Sequence, residues 1–209
     1  MGKYCTKPET VKIQATYDSI PTQLAKDNKK FQYKVVKKGG TANMYELPLE
    51  WLKTAGIILK CNKVDTAEHP INVYTDLTYF KVYMSDTGLL TLKAGLNIMV
   101  IFENEHNIFK GALTENYVAC ALVSNGFDLK YWKADGEAEV DFLVEKGSNV
   151  IPIEVKSKDN TTSKSLSEFN KIYKNTPYSI RISTKNFGLV NNIKSIPLYA
   201  VFCITKENL

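Results

Sequence analysis

The chain has 209 residues, 44% hydrophobic and 23% charged, so it holds apolar material for one domain or two small ones and is not a disordered polymer. Its net charge of +5 is carried almost wholly by lysine, since Arg181 is the only arginine, and sequence readout of DNA by bidentate arginine is nearly excluded. No apolar run reaches membrane-spanning length (the best is residues 95–102), and no signal peptide is read; Cys5, Cys61, Cys120 and Cys203 are far apart and His69 and His106 form no ligand cluster, a pattern of free thiols in a reducing cytoplasm and not of a zinc site.

The opening MGKYCTKPE has no pattern until Pro8. A short helix is expected over 9–18, then a second one capped by Ser19 with Pro21 just inside its start and Leu24 facing inward. Residues 31–36 alternate weakly and read as a strand, and KKGG at 37–40 as a basic turn. Asn43 and Glu46 form a capping-box pattern for a helix ending near Ala55 and Gly56, with Leu47, Trp51, Leu52 and Ala55 on its apolar stripe. Strands are expected at 57–64 and 80–84 around a polar linker, 65–76. Helices followed by a two-stranded hairpin is winged-helix order, which occurs in duplex-binding domains and in pure packing modules alike. A helix over 86–92, the interruption at Gly95, the run LNIMVIF and the charged ENEHN complete the first part. This predicts a small winged-helix-like domain over 1–93, a connecting region over 94–110 and a second domain over 111–209.

In the second part, residues 110–124 predict a helix stopped by Asn125-Gly126, with Glu115 unusually placed on its apolar stripe. Strands are expected at 127–133, 138–144 and 150–156, joined through the turns Asp135-Gly136 and Lys146-Gly147. A polar loop over 157–165, a helix over 166–173, a strand over 177–183 and an apolar close over 196–204 follow; Pro197 leaves that last segment open between strand and helix.

Period-2 alternation puts Glu139, Asp141 and Leu143 on one face of their strand, and Glu154 and Lys156 on one face of the next. Two acids and a lysine at the edge of an apolar sheet suit a divalent cation, Mg2+ or Mn2+, held by Asp141 and Glu154 with Glu115 as a third candidate. Lys156 would then orient water or stabilise a pentacovalent phosphate. The other reading pairs Glu154 and Lys156 with each other and gives Asp141 a capping role. Lys29, Lys30, Lys37 and Lys38 in the first part, and Lys158 and Lys164 beside the acids, are the candidate phosphate contacts.

The order of a helical Glu, an Asp and then Glu-x-Lys resembles the PD-(D/E)xK, or restriction-endonuclease-like, superfamily. The longer run IPTQLAKDNKKFQYKVVKKG, WLKTAGI, FKVYMSDTGLL, KGALTENYVA, EAEVDFLVE and IPIEVKS is similar to the C-terminal half of bacterial and archaeal AAA+ family ATPases that carry a DUF4143 domain, over residues 17 to about 204. The resemblance implies a mixed α/β sheet flanked by helices behind a winged-helix segment, with Glu115, Asp141, Glu154 and Lys156 at the site positions. Val140, not proline, precedes Asp141. It further implies a metal-dependent DNA nuclease, or a non-catalytic nucleic-acid-binding or protein-interaction module serving an ATPase. No GxxxxGK[ST] is present, so the motor would belong to a separate chain or to a missing part, and no ATP hydrolysis by that mechanism is expected here.

Overall fold

The structure is a computed structural model and describes residues 6–97, 99, 109–157 and 163–209. Most of the expected connecting region, together with Cys5, His106 and Lys158, lies outside the described residues. The chain divides into two compact units, Met1–Lys60 with Lys81–Leu113, and Cys61–Phe80 with Thr114–Leu209. The division therefore falls inside two strands, β1 (Ile58–Val64) and β2 (Thr75–Met84), and inside the helix Phe109–Ser124.

In the first unit the helix α1 (Lys7–Leu24) packs against α2 (Tyr33–Val36), α3 (Ala42–Thr54) and α4 (Thr87–Lys93). The expected break at Ser19 does not occur. Ser19 Oγ instead donates to Thr16 O at 2.7 Å, and Ile20, Pro21 and Leu24 are buried, so packing carries the helix through the proline. The real N-terminus is at Thr6, whose N–H donates to Glu9 Oε2 at 2.8 Å. The strand expected at 31–36 is the short helix α2. Gln23 explains this: its Nε2 donates to Gln32 O at 2.9 Å and its Oε1 accepts from Gln32 N at 3.0 Å, so a side chain occupies the backbone groups a neighbouring strand would need.

Helix α3 starts after Thr41, not Asn43, and buries Tyr45, Pro48, Leu49 and Leu52. Leu47 and Trp51, expected inside, lie outside with Met44. The expected linker 65–76 holds a 3-10 turn at Ile71–Tyr74 and the start of β2. It is tied down by Glu145, whose Oε1 accepts from Ile71 N at 3.0 Å and sits 2.9 Å from His69 Nδ1.

Helix α5 (Phe109–Ser124) leads into the second unit, and its end at Asn125-Gly126 is as expected: Gly126 has φ +78° and Phe127 N donates back to Leu122 O at 3.0 Å. Then come β3 (Lys130–Lys133), β4 (Glu139–Lys146), β5 (Asn149–Val155), α6 (Lys164–Ile172), β6 (Ser179–Ser183), β7 (Gly188–Val190) and β8 (Ile193–Pro197). Among the described residues eight strands form one open sheet in the order β2-β1-β3-β4-β5-β6-β8-β7, a mixed α/β arrangement flanked by helices. β3, β4 and β5 run antiparallel, while β5, β6 and β8 run parallel, with α6 as the crossover between β5 and β6.

Helix α6 packs on β4 and β5. There Leu166 and Phe169 join Val140, Leu143, Val150 and Trp132 in the core, with the Trp132 and Phe169 rings edge-to-face at 5.3 Å. Pro197 resolves the last segment: the strand ends on it and residues 198–203 form a 3-10 turn.

Candidate functional site

The β4–β5 hairpin builds the candidate site from local rules. β4 alternates apolar and polar residues except at a register shift against β3 between Val140 and Leu143, and the two-residue connection puts Gly147 at φ +58° before Ser148, the first central position of a type II′ turn, where glycine is required. Register then follows from the turn. Phe142 pairs with Ile153 and Leu143 with Pro152, so Asp141 stands opposite Glu154 on the same face. β5 in turn pairs Glu154 with Arg181 on β6, and β6 pairs Arg181 with Ser195 on β8. Asp141, Glu154, Arg181 and Ser195 thus form a polar row across four strands.

Each acid of that row is engaged by the chain itself. Asp141 Oδ2 accepts from Val155 N at 2.8 Å, so the carboxylate takes the place of a backbone acceptor where the β4–β5 ladder ends. Glu154 is 2% exposed, and its Oε1 lies 2.6 Å from Lys156 Nζ. The other oxygen, Oε2, is buried without a hydrogen-bond partner. Lys156 N donates to Ile182 O at 2.8 Å, fixing the lysine at the end of β5. Arg181 donates from an NH2 group to Ser195 Oγ at 2.8 Å. Glu139, the rival acid on the same face, is paired with Lys133 at 3.0 Å.

Glu115 is buried on α5 at 3% exposure. It does not join Asp141 and Glu154 as a third ligand: among the described residues no group of three or more His, Cys, Asp or Glu side chains is placed to hold a metal ion. The expected Mg2+ or Mn2+ site is therefore corrected. Hard cations need several oxygen ligands converging on one point, and here Asp141 faces an amide and Glu154 faces an ammonium.

The sequence reasoning brought Asp141, Glu154 and Lys156 to one face, but not the row's two further members. Arg181 stood out only as the lone arginine, and Ser195 not at all. The signal that could have found them is the strand pattern itself. Arg181 is the central polar residue of SIRIS, and the Asn191-Asn192 pair, at φ 50° and 62°, makes the tight turn that pairs β7 with β8.

The candidate phosphate contacts are dispersed. Lys29 and Lys30 are half-buried between α1 and α2, Lys37 and Lys38 are exposed after α2, and Lys164 is exposed at the start of α6. Among the thiols, Cys61 is buried, Cys120 half-buried and Cys203 exposed. No helix among the described residues is long and apolar enough to cross a membrane.

Residues 110–201 match the family model described as a domain of unknown function (DUF4143), and residues 1–98 match a second, also described as a domain of unknown function (DUF8612). No curated protein matches the chain. No solved structure matches it either.

Proposed function

We propose that this chain is a non-catalytic protein-interaction module that positions a P-loop ATPase. The reading takes the ATPase from the chain's resemblance to DUF4143-bearing ATPases, and takes its non-catalytic character from the acids of the polar row, each committed to a group of its own chain. In it the helices α1, α2 and α3 followed by β1 and β2 are winged-helix-like. The helix that would enter a nucleic-acid groove in such an arrangement is α3.

The observation that carries the reading is the outer face of α3. Met44, Leu47 and Trp51 follow one another at helical spacing and are 37%, 56% and 38% exposed, although the opposite face of the same helix is already buried. Glu46 is exposed beside them, and Glu50 is paired with Lys53 at 3.5 Å and Lys60 at 3.8 Å. Acids and apolar side chains repel and waste a phosphate backbone, whereas they suit a protein partner with apolar and basic residues.

Trp51 reports the test. The other tryptophan, Trp132, is buried at 3% exposure and serves as a constant background. Titrating the chain with a purified P-loop ATPase domain of a DUF4143-bearing ATPase is expected to shift Trp51 emission to the blue, saturably, and Leu47→Glu is expected to abolish the shift. Cleavage of labelled DNA in magnesium or manganese that is lost in Asp141→Asn would overturn the reading. So would binding of duplex DNA that Leu47→Glu weakens, because that would put nucleic acid on α3.

A further inference from the structure

A cleft of about 210 Å³ lies in the second unit, on the sheet face opposite the polar row, lined by strands β6 and β8 and by the C-terminal 3-10 turn. Ile180, Ile196, Ala200 and Ile204 give it apolar walls. Tyr178, Lys194 and Asn208 interrupt them, and the Asn208 amide is already hydrogen-bonded to Thr205 N and Cys203 O. Tyr178 lines the cleft, and its hydroxyl is buried without a hydrogen-bond partner. Lys194 lines it too, with its ammonium 3.5 Å from the centre of the Tyr178 ring, and among the described residues no carboxylate pairs with it.

A buried hydroxyl without a partner calls for an acceptor, and a partly buried ammonium without a carboxylate calls for an anion. The cation–π contact holds both groups beside each other, so one ligand group can meet both. Burial raises the Tyr178 phenol above its ordinary value, which keeps it a proton donor throughout the neutral range. With one cation present, a dianion would bring a second, uncompensated charge into an apolar cleft, which is costly. The walls favour a hydrocarbon body. An apolar cavity of about 150 Å³ accommodates benzene, so this one suits a body of roughly six to eight carbons.

We propose that the cleft binds a small apolar monocarboxylate. Its hydrocarbon part lies against Ile180, Ile196 and Ala200, and its carboxylate accepts from the Tyr178 hydroxyl and pairs with Lys194. The site is independent of the α3 surface.

Calorimetric titration of the full chain with 4-methylpentanoate and phenylacetate, against the matched alcohols 4-methylpentanol and 2-phenylethanol, tests this. The acids are expected to bind saturably and at least about tenfold more tightly than their alcohols, the scale of one charge-assisted hydrogen bond. Lys194→Met should weaken the acids about tenfold and leave the alcohols unmoved; Tyr178→Phe should weaken them severalfold. Cys203 is exposed and lines the same cleft, so bound acid should slow its alkylation by iodoacetamide while Cys120 reacts as before. No saturable binding at millimolar acid, equal affinity for acid and alcohol, or acid affinity unchanged in both variants would each overturn the proposal. The acid–alcohol comparison uses the unaltered chain, so it decides the matter even where a variant folds poorly.

Discussion

Replacing Lys156 with methionine separates a structural ion pair from a catalytic lysine. The substitution keeps the length of the side chain and removes its charge, leaving Glu154, which is 2% exposed, with neither carboxylate oxygen partnered. Breaking a fully buried pair from one side costs about 3–5 kcal/mol. The Lys156 side chain is 30% exposed, so water can reach the vacated position and the expected loss is about 2–3 kcal/mol.

The chain carries its own control. Lys171 and Glu168 are also 2.6 Å apart but are 69% and 50% exposed, and Lys171→Met should cost less than about 0.5 kcal/mol. The two pairs have the same separation and differ in burial. The double variant Glu154→Gln, Lys156→Met strands no charge and should return to within about 1 kcal/mol of the parent. Urea unfolding with slopes compared across the variants measures all three. If Lys156→Met costs no more than Lys171→Met, or if the double variant is as unstable as Lys156→Met alone, Glu154 is not anchored by Lys156 and the structural reading of the row fails.

Asp141→Ala should lose about 1–2 kcal/mol by leaving the Val155 N–H without its acceptor, while Asp141→Asn, which keeps an oxygen there, should lose less; hydrogen exchange at Val155 distinguishes them. Leu47→Glu and Trp51→Ala should change stability by no more than about 0.5 kcal/mol, since both side chains are on the open face of α3, so a larger loss in urea would place them in a core. The Lys93 ammonium holds the Asp18 carboxyl below its ordinary value by hydrogen bonding to it. A depressed carboxyl stabilises the fold above its unfolded pKa, and that contribution disappears as pH falls through the folded one. Asp18→Asn should therefore cost under about 1 kcal/mol at neutral pH and nothing in strong acid, read from unfolding curves across that range. Gly126→Ala meets a φ of +78° and should cost about 1 kcal/mol by the same measurement.

The elements legible in the sequence are those set by neighbours along the chain. The β4–β5 hairpin follows from alternation plus Gly147, and the end of α5 follows from Asn125-Gly126. The pairing of Glu154 with Lys156 on one face was visible for the same reason, because it needs only a period of two. What was not legible depends on groups distant in sequence. The Gln23 amide that turns 33–36 into a helix lies on another element, as does the Glu145 carboxylate that orders the segment before β2. Both apolar faces of α3 satisfy a helical stripe, and only packing against α1 decides that Tyr45, Leu49 and Leu52 are the buried set. The aim of the Asp141 carboxylate depends on cross-strand register, which alternation does not supply.

That last dependence explains why an acid–acid–lysine pattern need not make a metal site. Along the row, Asp141 and Glu154 carry two negative charges, and Lys156 and Arg181 carry two positive ones, so the formal charge is already balanced by the protein. A dication arriving there would have to displace an ammonium from Glu154 and a backbone N–H from Asp141, and would leave Lys156 facing a metal of like charge. In a partly buried sheet, that repulsion opposes what the carboxylates would gain. The same four side chains, paired among themselves, the Val155 amide and Ser195, give the sheet a fixed register along this row instead. Register specification is a use to which buried polar and charged groups are well suited, because a one-residue slip would break every one of these pairings.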